Sequence, residues 1–118
     1  MRTTFKAGAD LTGKVGYAVK ATTNDREVAL QSVAGAECVG IIINDNIAGY
    51  AVGVALCGEI CKGKLGGSVD CGDLLASKND GTLAKATNGQ IAIAKALQDG
   101  VSGDLAEIEV VEFGKYST

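Results

Sequence analysis

Apolar residues in this chain recur at every second position, in short runs broken by glycine and by Asn-Asp or Asp-Gly steps. Val15, Tyr17 and Val19 alternate with Gly16, Ala18 and Lys20; a period of two predicts a strand. "TTND", Thr22 to Asp25, predicts a turn, and "EVALQ" a returning strand. Val39, Ile41 and Ile43 form the next alternating set. Val52, Val54 and Leu56 form another, whose opposite face is Ala51, Gly53 and Ala55, small enough for a second sheet to approach. "CGEICKG" predicts a short strand around Ile60, and "GGSVDCGDLLASKNDGTLAKA" a strand, a turn and a strand. The turn is Lys78 to Gly81, since Asp-Gly readily takes the positive φ angles of a tight hairpin. "QIAIAKALQDG" has the composition of a short helix, but its match to "CVGIIINDN" assigns it to a strand over Ile91 to Leu97. Ile108 and Val110 close the series. About ten short strands predict an all-β fold, a small β-sandwich or barrel.

The pattern occurs twice. Val39 matches Ile93, Asp45 matches Asp99 and Gly49 matches Gly103, each pair 54 positions apart (99 − 45 = 54). "NDREVAL" from Asn24 echoes "NDGTLAK" from Asn79 at an offset of 55 (79 − 24 = 55). One residue of slippage is what a loop absorbs. Two copies are too few for a solenoid. They predict two similar halves of one closed β structure, each covering the other's apolar face. The expected organisation is an N-terminal arm over 1–9, a duplicated β domain over 10–112 and a C-terminal tail over 113–118.

Composition narrows the function. The chain has 118 residues, 47% of them hydrophobic but only 4% aromatic, and 17 glycines; that is one domain of small branched side chains on short strands. Net charge is −3, and no basic cluster exceeds Lys62 to Lys64. A nucleic-acid binder needs clustered Lys and Arg with aromatics between them, so nucleic acid is not an expected partner. Nor is a membrane: no apolar run approaches the roughly 20 residues of a spanning helix. "MRTTFKAGAD" lacks the apolar core of a secretory signal, so synthesis in a cytoplasm is expected. Histidine is absent, which excludes Ser-His-Asp and Cys-His nucleophile pairs and any histidine metal site.

The remaining candidate chemistry reads as structure. Cys38, Cys57, Cys61 and Cys71 lack paired C-x-x-C knuckles. Cys57 and Cys61 on one extended strand would stand about 13 Å apart, beyond disulfide reach. The cysteines are therefore expected reduced and metal-free. Asp45, Asp70, Asp73, Asp80, Asp99 and Asp104 form no spaced calcium loop and lie among turn residues. Glu107 and Glu109 share one face of a strand and read as a solvated face. No cofactor and no catalysis are expected. One competing reading is a carrier. "GGSVDCGDLLASKNDG" is similar to the hairpin of swivelling biotinyl and lipoyl domains, which would make Lys78 the attachment site. Ser77 and Asn79 are not the neighbours those domains place beside their lysine.

Three stretches carry a stronger resemblance: Gly40 to Gly58, Gly72 to Thr82 and Ala96 to Ile108. Their turn residues and apolar alternation resemble the small capsid decoration (cement) proteins and head-fibre-type proteins of tailed bacteriophages, over about Ala9 to Val111. The resemblance implies a virion protein on the outer surface of the capsid, bound where major capsid protein subunits meet and stabilising the shell, commonly as a homotrimer. A β-rich virion assembly protein of another kind is the second alternative. The termini carry three of the five aromatics, and Phe5, Lys6, Phe113 and Tyr116 are the candidate capsid-contact residues.

Overall fold

The computed structural model of the protein describes residues 2–87 and 89–115, with Arg2 and 112–115 as backbone alone. Ten strands follow one another: β1 (Arg2–Ala7), β2 (Ala18–Ala21), β3 (Glu27–Leu30), β4 (Gly40–Asn44), β5 (Ala51–Ala55), β6 (Ile60–Lys64), β7 (Leu74–Ser77), β8 (Leu83–Lys85), β9 (Ile91–Ala96) and β10 (Leu105–Lys115). The first five close into a barrel in the order β1-β3-β2-β4-β5. The last five form a sheet in the order β6-β10-β9-β7-β8. An isolated parallel bridge, Leu65 to Leu83, joins the β6 end of that sheet to β8. The two halves therefore share one topology.

The registers coincide as well. Lys6 pairs with Ala51, and Lys64 with Leu105. Ala18 pairs with Ile41, and Leu74 with Lys95. Val28 pairs with Ala7, and Leu83 with Leu65. The offset is 58 from β1 to β6 (64 − 6), 56 from β2 to β7 (74 − 18), 55 from β3 to β8 (83 − 28) and 54 for the last two strands (95 − 41, 105 − 51). Each drop in offset falls in a loop, where a deleted residue breaks no ladder. Even the turn clamps are duplicated. The Asp45 carboxylate accepts from the Gly13 N–H at 2.6 Å, and that of Asp99 from the Cys71 N–H at 2.7 Å.

The seven deepest side chains of the first barrel are Ala7, Leu11, Val19, Val28, Ile42, Val52 and Val54. Their counterparts are Leu65, Val69, Leu75, Leu83, Ala96, Ala106 and Ile108, all buried. Sizes are redistributed between the sets, yet both contain the same number of side-chain carbons, so the same barrel is filled to the same extent. Half-buried Phe5 packs on the first core. Gly63 stands in its place in the second, where even a Cβ would meet Ile108 and Leu83 at 2.8 Å.

The barrels do not pack as mirror partners. On the first, the paired outward residues Ile41 and Ala55 are fully buried within the second barrel's cluster. The equivalent pair on the second is Lys95, exposed, beside Glu109, half-buried. One apolar outer face is covered and the other was made polar. The joint also carries backbone bonds. Gly16 C=O accepts from Lys64 N–H at 2.9 Å, Ala18 N–H donates to Gly81 C=O at 2.7 Å, and Gly35 bridges Ser77 and Ile91. Gly16 has φ +92, and a Cβ there would stand 2.8 Å from the Lys64 nitrogen. That turn ends the strand expected from Val15, so β2 begins only at Ala18.

The N-terminal segment also departs from expectation. Residues 1–9 read as an arm, but Arg2–Ala7 is β1, paired with β5 over five residues and with β3 at Lys6 and Ala7. Its residues are mostly polar, with only Phe5 and Ala7 apolar on the face that Thr3 shares with them, and that hid the strand. At the other end the 113–118 tail is in part β10, whose backbone continues through Lys115. A β1 deletion should consequently open the first barrel. Removing residues 1–9 is expected to abolish the cooperative thermal transition of that half and raise dye binding to exposed apolar surface. An unchanged melt would show β1 to be dispensable.

Candidate docking surface

The first barrel is closed where β1 meets β3, and the closure is short: only Lys6 and Ala7 pair with Glu27 and Val28. The lower part of β1 thus has an edge facing no strand. Arg26, in the β2–β3 turn, covers it. Its guanidinium donates to the Thr4 carbonyl at 2.7 Å and the Thr3 hydroxyl at 3.1 Å, and it lies 4.8 Å from the centre of the Phe5 ring. Its backbone carbonyl accepts from Lys6 N–H at 2.7 Å. Among the described residues Arg26 is the non-glycine with positive φ, at 53°; that conformation costs about 1 kcal/mol or more for a residue with a Cβ. The equivalent residue in the second barrel is Gly81 (26 + 55), φ +86.

Around this closure lies a shallow groove lined by Phe5, Lys6, Asp25, Arg26, Tyr50 and Ala51, among others. Tyr50 is 59% exposed, a large apolar surface for a barrel this small. The neighbouring loop tips expose Ile47 and its counterpart Val101. Of the four candidate contact residues, the structure brings two into this groove. Phe5 is half-buried against the core, so it forms the groove's floor and is no exposed anchor; Lys6 is exposed at its rim. Phe113 lies on the β10 backbone with its side chain outside the described residues, and Tyr116 lies wholly outside them. Tyr50 and Arg26 were missed from the sequence. Tyr50 sits in the turn after Gly49, and nothing in its neighbours shows that it lies across from β1.

A second hollow, of about 180 Å³, lies at the joint between the barrels, against Cys38, Ile41, Cys57, Ile91, Ile93 and Val110. Burial pushes the Cys38 thiol pKa up, which favours the protonated form over the reactive thiolate. Cys38, Cys57 and Cys71 form no disulfide, and Cys61 packs against the second core. Lys78 is half-buried, and its ammonium donates to the Gly66 carbonyl at 3.0 Å. A swinging attachment lysine must project freely, which this one does not. Among the described residues no group of three or more Cys, Asp or Glu is placed to hold a metal.

Neither family models nor curated proteins match the chain. A solved structure does: the crystal structure of the N base of head fiber gp8.5 from bacteriophage phi29. It superposes with a TM-score of 0.73 at 15% identity, covering 100% of this chain and 98% of that one. The chain has the fold of that head-fibre base. The likeness extends over both barrels, so the double-barrel arrangement and not a single half is what the two chains share. At that identity the groove residues are a matter for this chain alone.

One electrostatic feature at the groove is testable. Glu27 leaves β3 beside it; the Asn24 amide and the Thr22 hydroxyl both donate to its Oε1, at 3.0 and 2.8 Å. They hold its pKa below the ordinary 4.5. Asp10 and Asp80 are lowered likewise, mainly by bonds from Thr12 and Thr82. A depressed carboxylate stabilises the fold fully above its unfolded pKa and loses that contribution as pH falls through the folded value. Urea midpoints should therefore hold down to pH about 5 and then decline. Glu27→Gln should lower the midpoint at neutral pH and flatten the acid decline. A midpoint indifferent to acid in both proteins would exclude this role.

Proposed function

We propose that this chain is a structural protein of a phage virion, binding the outer surface of the head at junctions of the major capsid protein and stabilising the shell. The observation that carries the reading is the full-length fold likeness to the phi29 head-fibre base. The chain's own chemistry agrees with it. With no histidine, a Cys38 thiol biased towards its protonated form and turn-bound aspartates, the molecule offers shape and rigidity in place of acids and bases, and we read it as having no catalytic activity. Two barrels joined by backbone bonds and a shared core form a stiff block suited to bridging neighbouring subunits.

A block of this size offers a small footprint, and small interfaces are weak one at a time. Assembly as a homotrimer over three capsid subunits converts later contacts into intramolecular ones and raises effective concentration. A protein that binds the assembled lattice and not free subunits also stabilises the lattice by mass action. Lys6, with Phe113 and Tyr116 at the other terminus, remains in the proposed contact set; Phe5 contributes through the groove floor. The carrier alternative loses ground to the tethering of Lys78 on Gly66.

The test uses heads of a phage that encodes this protein, prepared with and without it. Decorated heads should release DNA at a higher temperature, and cryo-electron density should place the double barrel outside the shell. Equal heat resistance of the two preparations would overturn the stabilising role, and absence of the density would overturn the virion assignment.

A further inference from the structure

The two barrels close their seams differently, and the difference marks a binding site. In the first, the Lys6 N–H donates straight to the Arg26 carbonyl at 2.7 Å. The equivalent groups of the second barrel are the Lys64 N–H (6 + 58) and the Gly81 carbonyl (26 + 55), by the register offsets. They do not bond each other. The Lys64 N–H donates to Gly16 C=O at 2.9 Å, and the Gly81 carbonyl accepts from Ala18 N–H at 2.7 Å. The segment Gly16–Tyr17–Ala18 of the first barrel thus lies between them as a short insert that leaves the Lys14–Tyr17 turn at Gly16, φ +92. The second seam keeps a single closing rung, Leu65 to Leu83, where the first has two.

The insert is selected by size. Gly16 sits where a Cβ would meet Leu105 and the Lys64 nitrogen at 2.8 Å. Ala18 is fully buried, and the Tyr17 ring lies beside Gly81. Lys64, Gly81 and Leu105 are thus the second barrel's grip. Their first-barrel equivalents are Lys6, Arg26 and Ala51, all lining the open groove beside exposed Tyr50. That groove is the same grip with no insert in it. Where the second barrel has glycine at the left-handed turn position, the first has Arg26, whose guanidinium occupies the Thr4 carbonyl on the unpaired edge.

We propose that this groove is a docking site for a short segment of a partner protein, with glycine at its first position, a small residue at its third and a larger residue between. On docking, the partner's first carbonyl accepts from Lys6 N–H and its third N–H donates to the Arg26 carbonyl. One internal backbone bond is exchanged for two intermolecular ones, the mode by which strands are added to sheet edges. Arg26 acts as a plug that the segment displaces, and Tyr50 covers it. A second copy of this chain does not supply the segment through its second barrel. The equivalent stretch there is Gly72–Asp73–Leu74, and leucine exceeds the space that Ala18 fills. The site is independent of the particle the protein decorates, so a failure here and a failure of the virion reading are separable.

The probe is the capped heptapeptide KVGYAVK, which copies Lys14–Lys20, titrated into the isotopically labelled full chain. The expected result is saturable amide shifts at Lys6, Arg26 and Tyr50. Arg26→Gly should bind several-fold more tightly, since Gly81 shows that glycine completes this turn without loss of the fold. A peptide with arginine at the glycine and alanine positions should not bind. Shifts confined to Lys64, Gly81 and Leu105 would mean the peptide only displaces the internal insert, and would overturn the proposal. No binding to either the wild type or the folded Arg26→Gly variant would overturn it too.

Discussion

Five mostly short strands cannot bury both their inner faces and their ladder groups as an open sheet. The parallel meeting of β1 with β3, and of the β6 end with β8, turns each into a barrel and gives seven side chains an interior. That meeting is short because the strands are short and strongly staggered. Each barrel therefore keeps a seam beside its closing rungs, with backbone groups that need partners. How each seam is satisfied shapes the molecule. The second takes Gly16–Ala18 from its neighbour, which fixes the two barrels to each other. The first bonds to itself and is capped by Arg26.

Duplication supplies two equal units, and burial then makes them unequal. Ile41 and Ala55 are apolar because the second barrel covers them; fully burying an isoleucine is worth about 2–3 kcal/mol relative to leaving it in water. Lys95 is exposed and Glu109 half-buried, and an apolar pair on that face would form a patch inviting association. The interiors face the same constraint in both copies, and only the distribution of volume has drifted. A leucine at 65 where the first barrel has Ala7, and alanines at 96 and 106 where it has Ile42 and Val52, keep the same filling.

The same asymmetry gives the molecule one worked and one open grip. The two barrels are joined by backbone bonds, and the first barrel's seam takes no insert from the other and closes on itself through Lys6 and Arg26. The strain held at Arg26 belongs to that seam: a glycine would relax the turn but leave the Thr4 carbonyl edge uncovered.

Alternation of small branched residues determined the all-β class, nine of the ten strands and the duplication, because period-two burial and Asp-Gly turns are local physics that a sequence displays directly. The offset of 54 between Asp45 and Asp99 was legible for the same reason, since each aspartate clamps its own copy's loops. β1 was not legible: four of its six residues are polar, and its membership rests on pairing with β5, some fifty positions away. The strand start at Val15 was displaced by Gly16, whose conformation answers to Lys64 in the other barrel. The groove was half legible. Phe5 and Lys6 were named from their position near the terminus, whereas Arg26 and Tyr50 reach them only through barrel closure. Contacts between residues distant in sequence decide which backbone groups are left to bond, and that is where only the tertiary structure could speak.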